Sequence, residues 1–304
     1  MSTIKNVVLI GASGTLGPHV AKQVIDSGLF NVTTFKRIGS VATYYTGSGS
    51  AKVVEVDLSS QTAVESALKG QDAIVATLSA TAIESQKPII DAAASVGVKR
   101  YIPSEFGGDL ENPRVRTIPI LGSKLEIQGY LADKAKTSNL TYTLVFNAAF
   151  IEWGIEKQGL IDRKTDHPSV FGDGDLEFSA TSLPTVGDAI VGILQHPEET
   201  KNRSVRIHDL VLTQNKIIEL AKKAVPERNW EAVPEDRSLA DYLAIAYSNL
   251  QQGIFNDDTI KGFINTVTFD PAFGTRFLRT DNELLGIKPR GEEYIVQMIK
   301  NMFN

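Results

Sequence analysis

The chain has 304 residues, and 42% of them are hydrophobic, which is enough to build one large globular domain or two of ordinary size. It carries 31 basic and 36 acidic side chains, and the resulting net charge of -5 argues against binding to a nucleic acid. The absence of cysteine excludes disulfides, thiolate nucleophiles and zinc-thiolate sites, and a cytoplasmic location is expected.

Membrane and metal binding are not expected either. The apolar run VVLI before residue 11 is too short to span a bilayer and continues into a glycine-containing segment, so it indicates a buried strand. The four histidines, His19, His167, His196 and His208, show no metal-binding spacing among themselves or with paired carboxylates.

The first half of the chain alternates short β-branched segments with amphipathic ones, the order typical of a parallel α/β sheet. Strands are predicted at Asn6–Ile10, Val32–Phe35, Val53–Val56, Ala73–Ala76, Arg100–Ile102 and Tyr142–Phe146. The segments 16–28 and 82–97 repeat apolar residues every three or four positions and end on glycine, which predicts helices. This order predicts a Rossmann-type doubly wound sheet, whose ligands bind beyond the carboxyl ends of the strands.

The alternation is lost after about residue 150. Turns such as FGDGD and SLPTVGD separate short strands there, and helices are predicted near Lys216–Ala224 and Leu239–Leu250. We therefore predict a dinucleotide-binding domain in residues 1–150 and a smaller α+β substrate-binding lobe in residues 151–304. A short strand at Val205–Ile207 can return to the main sheet.

A glycine-rich segment, VVLIGASGTLGPHV, joins the first strand to the first helix. Glycine lets this turn close tightly and lets backbone N–H groups approach a pyrophosphate at the positive end of the helix. The GxxGxxG spacing alone is weakly specific, and a purely structural turn is the alternative. Its place between a predicted strand and a predicted helix favours dinucleotide binding.

The end of the second strand indicates which dinucleotide is bound. Lys36 and Arg37 supply positive charge there, and no carboxylate is at hand to accept from a free ribose hydroxyl, so NADP is preferred over NAD. The alternative is that both are ordinary solvated side chains. Asp57, at the end of the third strand, is predicted to meet the adenine edge or to form a turn.

Two lysines before the sixth strand are candidates for proton transfer. Lys134 follows Tyr130 with the YxxxK spacing of short-chain dehydrogenases, but it lies only ten residues before Leu144 and so near the far end of its helix. Lys124 lies 20 residues before Leu144, which places it in the first helical turn, beside the expected nicotinamide. We predict that Lys124 acts and that the YxxxK match is accidental. A plain surface lysine is the alternative for Lys124.

The segment KRYIPSEFGGD at Lys99–Asp109 resembles the PSEFG signature of a group of atypical short-chain dehydrogenases. The group includes isoflavone, pinoresinol-lariciresinol and phenylcoumaran benzylic ether reductases, eugenol synthases and NmrA-like proteins. The resemblance extends through GASGTLG, Arg37, Gln86, Lys124 and VFNAAF, and it includes fungal isoflavone-reductase-like proteins. Such proteins keep a lone lysine and lack the tyrosine, which agrees with Ile120 four residues before Lys124.

The resemblance implies the following cofactor contacts. Pyrophosphate is held by Gly11, Ser13, Gly14, Thr15, Leu16 and Gly17. Arg37 holds the 2'-phosphate, and Thr77, Gln86 and Phe106 lie towards the nicotinamide half. Lys124 orients the nicotinamide ribose and serves as acid or base.

The resemblance also implies a substrate pocket that Asn147, Phe150 and Trp153 help to form, with core packing as the alternative for the two aromatic residues. We therefore expect an NADPH-dependent reductase of a small aromatic or conjugated substrate, with Lys124 as general acid or base. The alternative is a non-catalytic NmrA-like redox sensor. Such relatives have lost the active-site lysine, so the presence of Lys124 favours the enzyme.

Overall fold

The computed structural model describes residues 3–47, 49–157, 160 and 167–303. The strands are β1 (Asn6–Ile10), β2 (Asn31–Arg37), β3 (Lys52–Val56), β4 (Ala73–Ala76), β5 (Arg100–Ile102), β6 (Thr141–Phe146), β7 (Ala149–Phe150), β8 (Ser169–Val170), β9 (Phe178–Thr181), β10 (Arg203–Arg206), β11 (Leu210–Leu212) and β12 (Val233–Pro234). The α-helices are α1 (Gly17–Asp26), α2 (Gln61–Leu68), α3 (Gln86–Ser95), α4 (Gly122–Thr137), α5 (Ile151–Glu156), α6 (Leu183–Gln195), α7 (Gln214–Ala224), α8 (Leu239–Gln251), α9 (Asp257–Phe269) and α10 (Glu292–Phe303).

The main sheet has seven parallel strands within the described residues, in the order β10-β6-β5-β4-β1-β2-β3. The chain first adds β2 and β3 on one side of β1. It then crosses back and adds β4, β5 and β6 on the other side. The loops after β1 and β4 diverge at this reversal, which is where parallel sheets of this kind bind ligands. The predicted doubly wound sheet is confirmed.

Both faces of this sheet are covered, and β1 shows why its sequence is apolar throughout. Val7 and Leu9 point into a core built with α1 and α6, whereas Val8 and Ile10 point into a second core built with α2, α3 and α4. All four side chains are at most 2% exposed. A strand buried on both faces reads as a continuous hydrophobic run, so no alternation is seen.

One turn prediction and one helix prediction are wrong in detail. SLPTVGD is not a turn, because Leu183 begins α6 and Pro184 lies in its first turn, a position where proline needs no N–H. The helix predicted from residue 82 begins as a 3-10 turn at Ala80–Ser85, and the regular helix starts at Gln86. Pro88 cannot donate to the carbonyl four residues earlier, so it too is tolerated only in a first turn.

The second half of the chain forms smaller sheets and also returns to the main one. β9 pairs antiparallel with β11 and parallel with β7, and β8 pairs with β12. β10 pairs with β6, with Val205 opposite Val145. The division of the chain at residue 150 stays a prediction. Within the described residues, no helix is long and apolar enough to cross a membrane.

The helices α8 and α9 form an antiparallel pair that covers the segment leading into α4. Ala246 and Phe263 share a buried cluster with Leu110 and Ile118. The Tyr247 hydroxyl donates to the carbonyl of Thr117 at 3.3 Å. The C-terminal helices thus hold in place the approach to the helix that carries Lys124.

Two glycines on helices predict opposite responses to the same substitution. A Cβ at Gly17 would lie 2.3 Å from the Gly11 carbonyl oxygen, whereas Gly129 on the exposed side of α4 has nothing within 4 Å. We expect Gly17→Ala to lower the free energy of unfolding by about 1–3 kcal/mol, as overpacking does. Gly129→Ala should raise it by up to about 1 kcal/mol. Urea denaturation measures both, and equal stabilities would contradict the packing described.

Candidate active site

The loop after β1 is shaped by contacts that only glycine permits. Gly11 has φ 84°, and a Cβ there would lie 2.5 Å from the carbonyl oxygen of Thr77, at the end of β4. Gly17 packs its Cα against the same loop, close to the Gly11 carbonyl and Ala12. The start of α1 is therefore drawn tightly against the ends of β1 and β4.

The start of α1 also presents backbone N–H groups that donate to no acceptor within the described residues. Leu16 caps the helix without a side-chain hydrogen bond, and Ser13, Gly14 and Thr15 are exposed. The N–H of Gly14 donates to the Gly11 carbonyl at 3.1 Å and closes the turn. Free N–H groups at a helix N-terminus bind phosphate, so the residues present fit a dinucleotide pyrophosphate. Leu16 itself packs on the core beneath α1.

Lys36 and Arg37 occupy the last two positions of β2 and remain available for an anion. Arg37 is exposed and Lys36 half-buried, and neither side chain makes an ion pair or hydrogen bond with the described part of the chain. The neighbouring carboxylate of Glu55 accepts from the N–H of Gly39 at 2.6 Å. The Glu55 carboxylate is thus already bound by the turn after β2.

Asp57 and Thr77 are both engaged in hydrogen bonds that shape their own loops. The Asp57 carboxylate accepts from the N–H and hydroxyl of Ser59 at 3.0 and 2.6 Å, and these hydrogen bonds lower its pKa. These hydrogen bonds agree with the alternative prediction that Asp57 forms a turn. Thr77 is 9% exposed, and its N–H and hydroxyl donate to the Ile10 carbonyl at 2.8 and 3.2 Å.

Gln86 is fully buried and joins α3 to the end of β5. Its Nε2 donates to the Ile83 carbonyl at 3.0 Å, and its Oε1 accepts from the N–H of Ser104 at 2.9 Å. The hydroxyl of Ser104 donates to the Leu78 carbonyl at 2.8 Å. These bonds hold the PSEFG segment against the loop after β4, and Phe106 of that segment packs into the same core as Ala12.

Lys124 is held in the first turn of α4 by the PSEFG segment. Its Nζ donates to the carbonyl oxygens of Glu105 and Phe106, the latter at 3.0 Å. Gly107 lies so close that a Cβ there would be 3.5 Å from Nζ. Burial lowers the pKa of Lys124, and the charge of Glu105 opposes that change. Two N–H groups of the Lys124 nitrogen are thus fixed by these carbonyls. Its third position carries a proton when the lysine is charged and a lone pair when it is neutral.

Tyr130 and Lys134 belong to a different structure on the outer side of α4. Their hydroxyl and ammonium groups both bind the carboxylate of Asp91 on α3, each at 2.6 Å. The Lys134 ammonium also lies 5.3 Å from the centre of the Tyr130 ring. This cluster ties α3 to α4, which gives the YxxxK spacing a structural reason.

The residues proposed for the substrate pocket follow β6. Asn147 is fully buried, and its Oδ1 finds no hydrogen-bond donor in the ranges the structure describes. Its N–H and that of Ala148, which has φ 52°, both donate to the carbonyl of Gly107. Phe150 and Trp153 are half-buried, and Phe150 packs against the α1 and α6 core. An orphaned buried oxygen beside Gly107 fits an amide donor on a bound cofactor or substrate.

A cavity of about 480 Å³ lies elsewhere, between β8, α8 and α9. Phe171, Tyr242 and Asn265 are among its lining residues, and none of the predicted site residues is. This cavity is therefore separate from the contacts that surround Lys124.

Sequence reasoning missed one charged residue of the site. Glu105 is 2% exposed, and its Oε1 lacks a hydrogen-bond partner among the described residues. Burial raises its pKa, against the opposing charge of Lys124. The PSEFG motif contains this residue, but the motif alone does not tell that the carboxylate turns inward.

Comparisons with known proteins extend over nearly the whole chain. A sequence model of the NmrA-like family matches residues 3–256. The oxidoreductase aprR of Aspergillus flavus is 30% identical over 302 residues, which cover 98% of this chain and 99% of that protein. Phenylcoumaran benzylic ether reductase PT1 of Pinus taeda is 27% identical over 287 residues, which cover 90% and 92% of the two chains.

Solved structures share the fold at lower sequence identity. AtPrR2 with NADP+ and (+)-pinoresinol superposes with a TM-score of 0.77 at 19% identity, covering 98% of this chain and 100% of that one. The binary complex of leucoanthocyanidin reductase with NADPH from Vitis vinifera has a TM-score of 0.76 at 20% identity, with 97% and 99% covered. These similarities agree with the doubly wound sheet described above.

Proposed function

This chain belongs to the NmrA-like family, and from that premise we propose that it is an NADPH-dependent reductase of a small aromatic or conjugated substrate, with Lys124 as general acid or base. The coarser part of this function, an NADP(H)-dependent oxidoreductase, has support from the full-length Aspergillus flavus relative and from NADP+- and NADPH-bound structures of the same fold.

The observation that carries the proposal is the continuous set of contacts from the glycine loop to Lys124. Gly11 meets Thr77, the following residue Leu78 accepts from Ser104, and the next two carbonyls of the chain hold the lysine. The lysine therefore stands at a fixed place relative to the helix end that suits a pyrophosphate. A lysine on a solvated surface would need no such supports.

NADPH supplies a hydride to the substrate when it is bound. The role of Lys124 is to deliver the proton that balances the new negative charge on the substrate, through the one N–H that the two carbonyls leave free. Burial favours the neutral amine that remains after this transfer, because a charged group is poorly solvated there. A lowered lysine pKa suits a group that must both give and regain a proton.

The substrate class rests on relatives and on the residues after β6. The Pinus taeda relative is a benzylic ether reductase, and AtPrR2 was solved with pinoresinol, so an aromatic substrate is proposed for this chain as well. Phe150 and Trp153 keep part of their surface accessible and offer apolar contacts to such a ring. Asn147 offers an unpaired oxygen to a donor.

The choice of cofactor predicts a measurable effect at Arg37. We expect NADPH to bind about 10- to 150-fold more tightly than NADH, which is about 1.5–3 kcal/mol for hydrogen bonds to a charged phosphate. Arg37→Ala should remove most of this preference, since its side chain is exposed at the end of β2. Lys52→Ala, at the opposite end of the neighbouring strand, is the control and should change neither affinity. Calorimetry decides, and equal affinities in the unaltered protein would rule out the assignment.

The proton-transfer role predicts different results for the two lysines of α4. Lys124→Ala should lower turnover by about 10²-fold or more, as expected when an acid-base group is lost. Lys134→Ala and Tyr130→Phe should retain turnover, because both residues serve Asp91 on the outer side of α4. The assay follows NADPH absorbance with a panel of enones, quinones and benzylic ethers.

The same panel separates the reductase from a redox sensor. A sensor would bind NADPH and leave its absorbance unchanged with every compound, and that result would end the reductase proposal. Loss of turnover in Lys134→Ala with none in Lys124→Ala would reverse the assignment of the lysines.

A further inference from the structure

Glu105 is a buried carboxylate for which the hydride and proton steps above require no role. It follows β5, is 2% exposed, and leaves its Oε1 without a partner in the described chain. The Gln128 amide is its polar neighbour on α4, but the Nε2 of that amide also lacks a hydrogen bond of good geometry. Burying a carboxylate with so little hydrogen bonding is costly unless an opposite charge compensates it.

Lys124 is the opposite charge that the structure brings to Glu105, because its Nζ donates to the backbone carbonyl of that same residue. The ammonium and the carboxylate make no direct ion pair within the described residues. Burial raises the pKa of Glu105 and lowers the pKa of Lys124, and the charge of each residue opposes that change in the other. The other charged groups on α3, α4 and the turn before α3 are engaged elsewhere: Glu84 with Ser123, Lys87 with Glu126, Asp91 with Lys134 and Tyr130, and Asp133 with Lys136. Glu105 and Lys124 are thus adjacent through the backbone contact, and each is available to influence the charge of the other.

We propose that Glu105 is a positioning residue that acts through Lys124, and that its negative charge keeps the half-buried lysine protonated until a substrate is bound. This inference rests on the proposed function, since it gives the lysine a proton to deliver. The backbone carbonyls of Glu105 and Phe106 fix the direction of the ammonium group. The carboxylate fixes its charge.

The proton balance follows from this arrangement. Lys124 gives one proton from Nζ to the substrate atom that has become electron-rich, and the amine becomes neutral. Glu105 is then left without its counter-charge in a buried place, which favours return of a proton to Nζ from water. The carboxylate therefore resets the lysine after each transfer without touching the substrate.

Glu105→Gln tests the proposal because it removes the charge and keeps the shape of the side chain. The measurement is the rate of acetylation of Lys124 by acetic anhydride as a function of pH, followed by mass spectrometry, since only the neutral amine reacts. We expect the pH midpoint for Lys124 to fall by about 1–3 units in Glu105→Gln, the range for loss of a close opposite charge. The pH above which turnover declines should fall with it.

Two further variants act as controls. Glu126→Gln removes one negative charge from the exposed side of the same helix, where it pairs with Lys87, and should leave the midpoint unchanged. Glu105→Asp keeps the charge and should restore most of the midpoint of the unaltered protein. A midpoint for Glu105→Gln equal to that of Glu126→Gln would overturn the proposal.

A stability cycle provides a second test that does not require Glu105→Gln to fold alone. Lys124→Met leaves the buried carboxylate without its counter-charge and should destabilise the protein. Adding Glu105→Gln to Lys124→Met should recover part of that loss, because the two effects are coupled. A double variant no more stable than Lys124→Met alone would contradict the pair.

The failure of this inference and the failure of the proposed function are distinguishable. The acetylation and stability measurements need neither substrate nor cofactor, so a shifted midpoint without NADPH oxidation supports the pair and rejects the reductase. An unshifted midpoint, together with loss of turnover in Lys124→Ala, supports the reductase and rejects the role of Glu105.

Discussion

The structure depends on the close approach between the loop after β1 and the end of β4. No side chain larger than hydrogen fits at Gly11, because a Cβ would lie 2.5 Å from the Thr77 carbonyl oxygen. This contact sets where α1 begins, and therefore where its free N–H groups point. The loop after β4 in turn accepts the hydroxyl of Ser104 and so positions the PSEFG segment. The loop after β1 and the PSEFG segment that holds Lys124 are thus parts of one packed unit.

Electrostatics complements this packing at the lysine. Neutral carbonyl dipoles hold Lys124 in direction, and the charge that opposes the effect of burial on its pKa belongs to Glu105 of the same segment. Segment and lysine are therefore interdependent: Glu105 and Lys124 are each costly to bury alone, and each lowers the cost for the other. The Tyr130, Lys134 and Asp91 cluster on the outer side of α4 is solvent-facing and has no comparable coupling to the site.

The sequence predicted those features that follow from local patterns. The bounds of β1, β4 and β5 agree with the structure. β1 and β4 are marked by short runs of buried apolar residues. The position of Lys124 followed from the length of helix needed before β6. The start of α6 was missed because Ser, Pro and Gly are common in turns and in first helical turns alike, and only packing against α1 distinguishes them. The inward turn of Glu105 depends on tertiary contacts, which no local pattern contains.

The return of the chain to the main sheet has a consequence for how the protein is made. The edge of β6 stays uncovered until β10, residues 203–206, has been synthesised, and one face of α1 stays uncovered until α6 is present. A nascent chain that ends soon after residue 150 therefore exposes unpaired strand N–H and C=O groups beside apolar surface, a combination that favours self-association. Completion of this sheet edge must therefore wait for the second half of the chain.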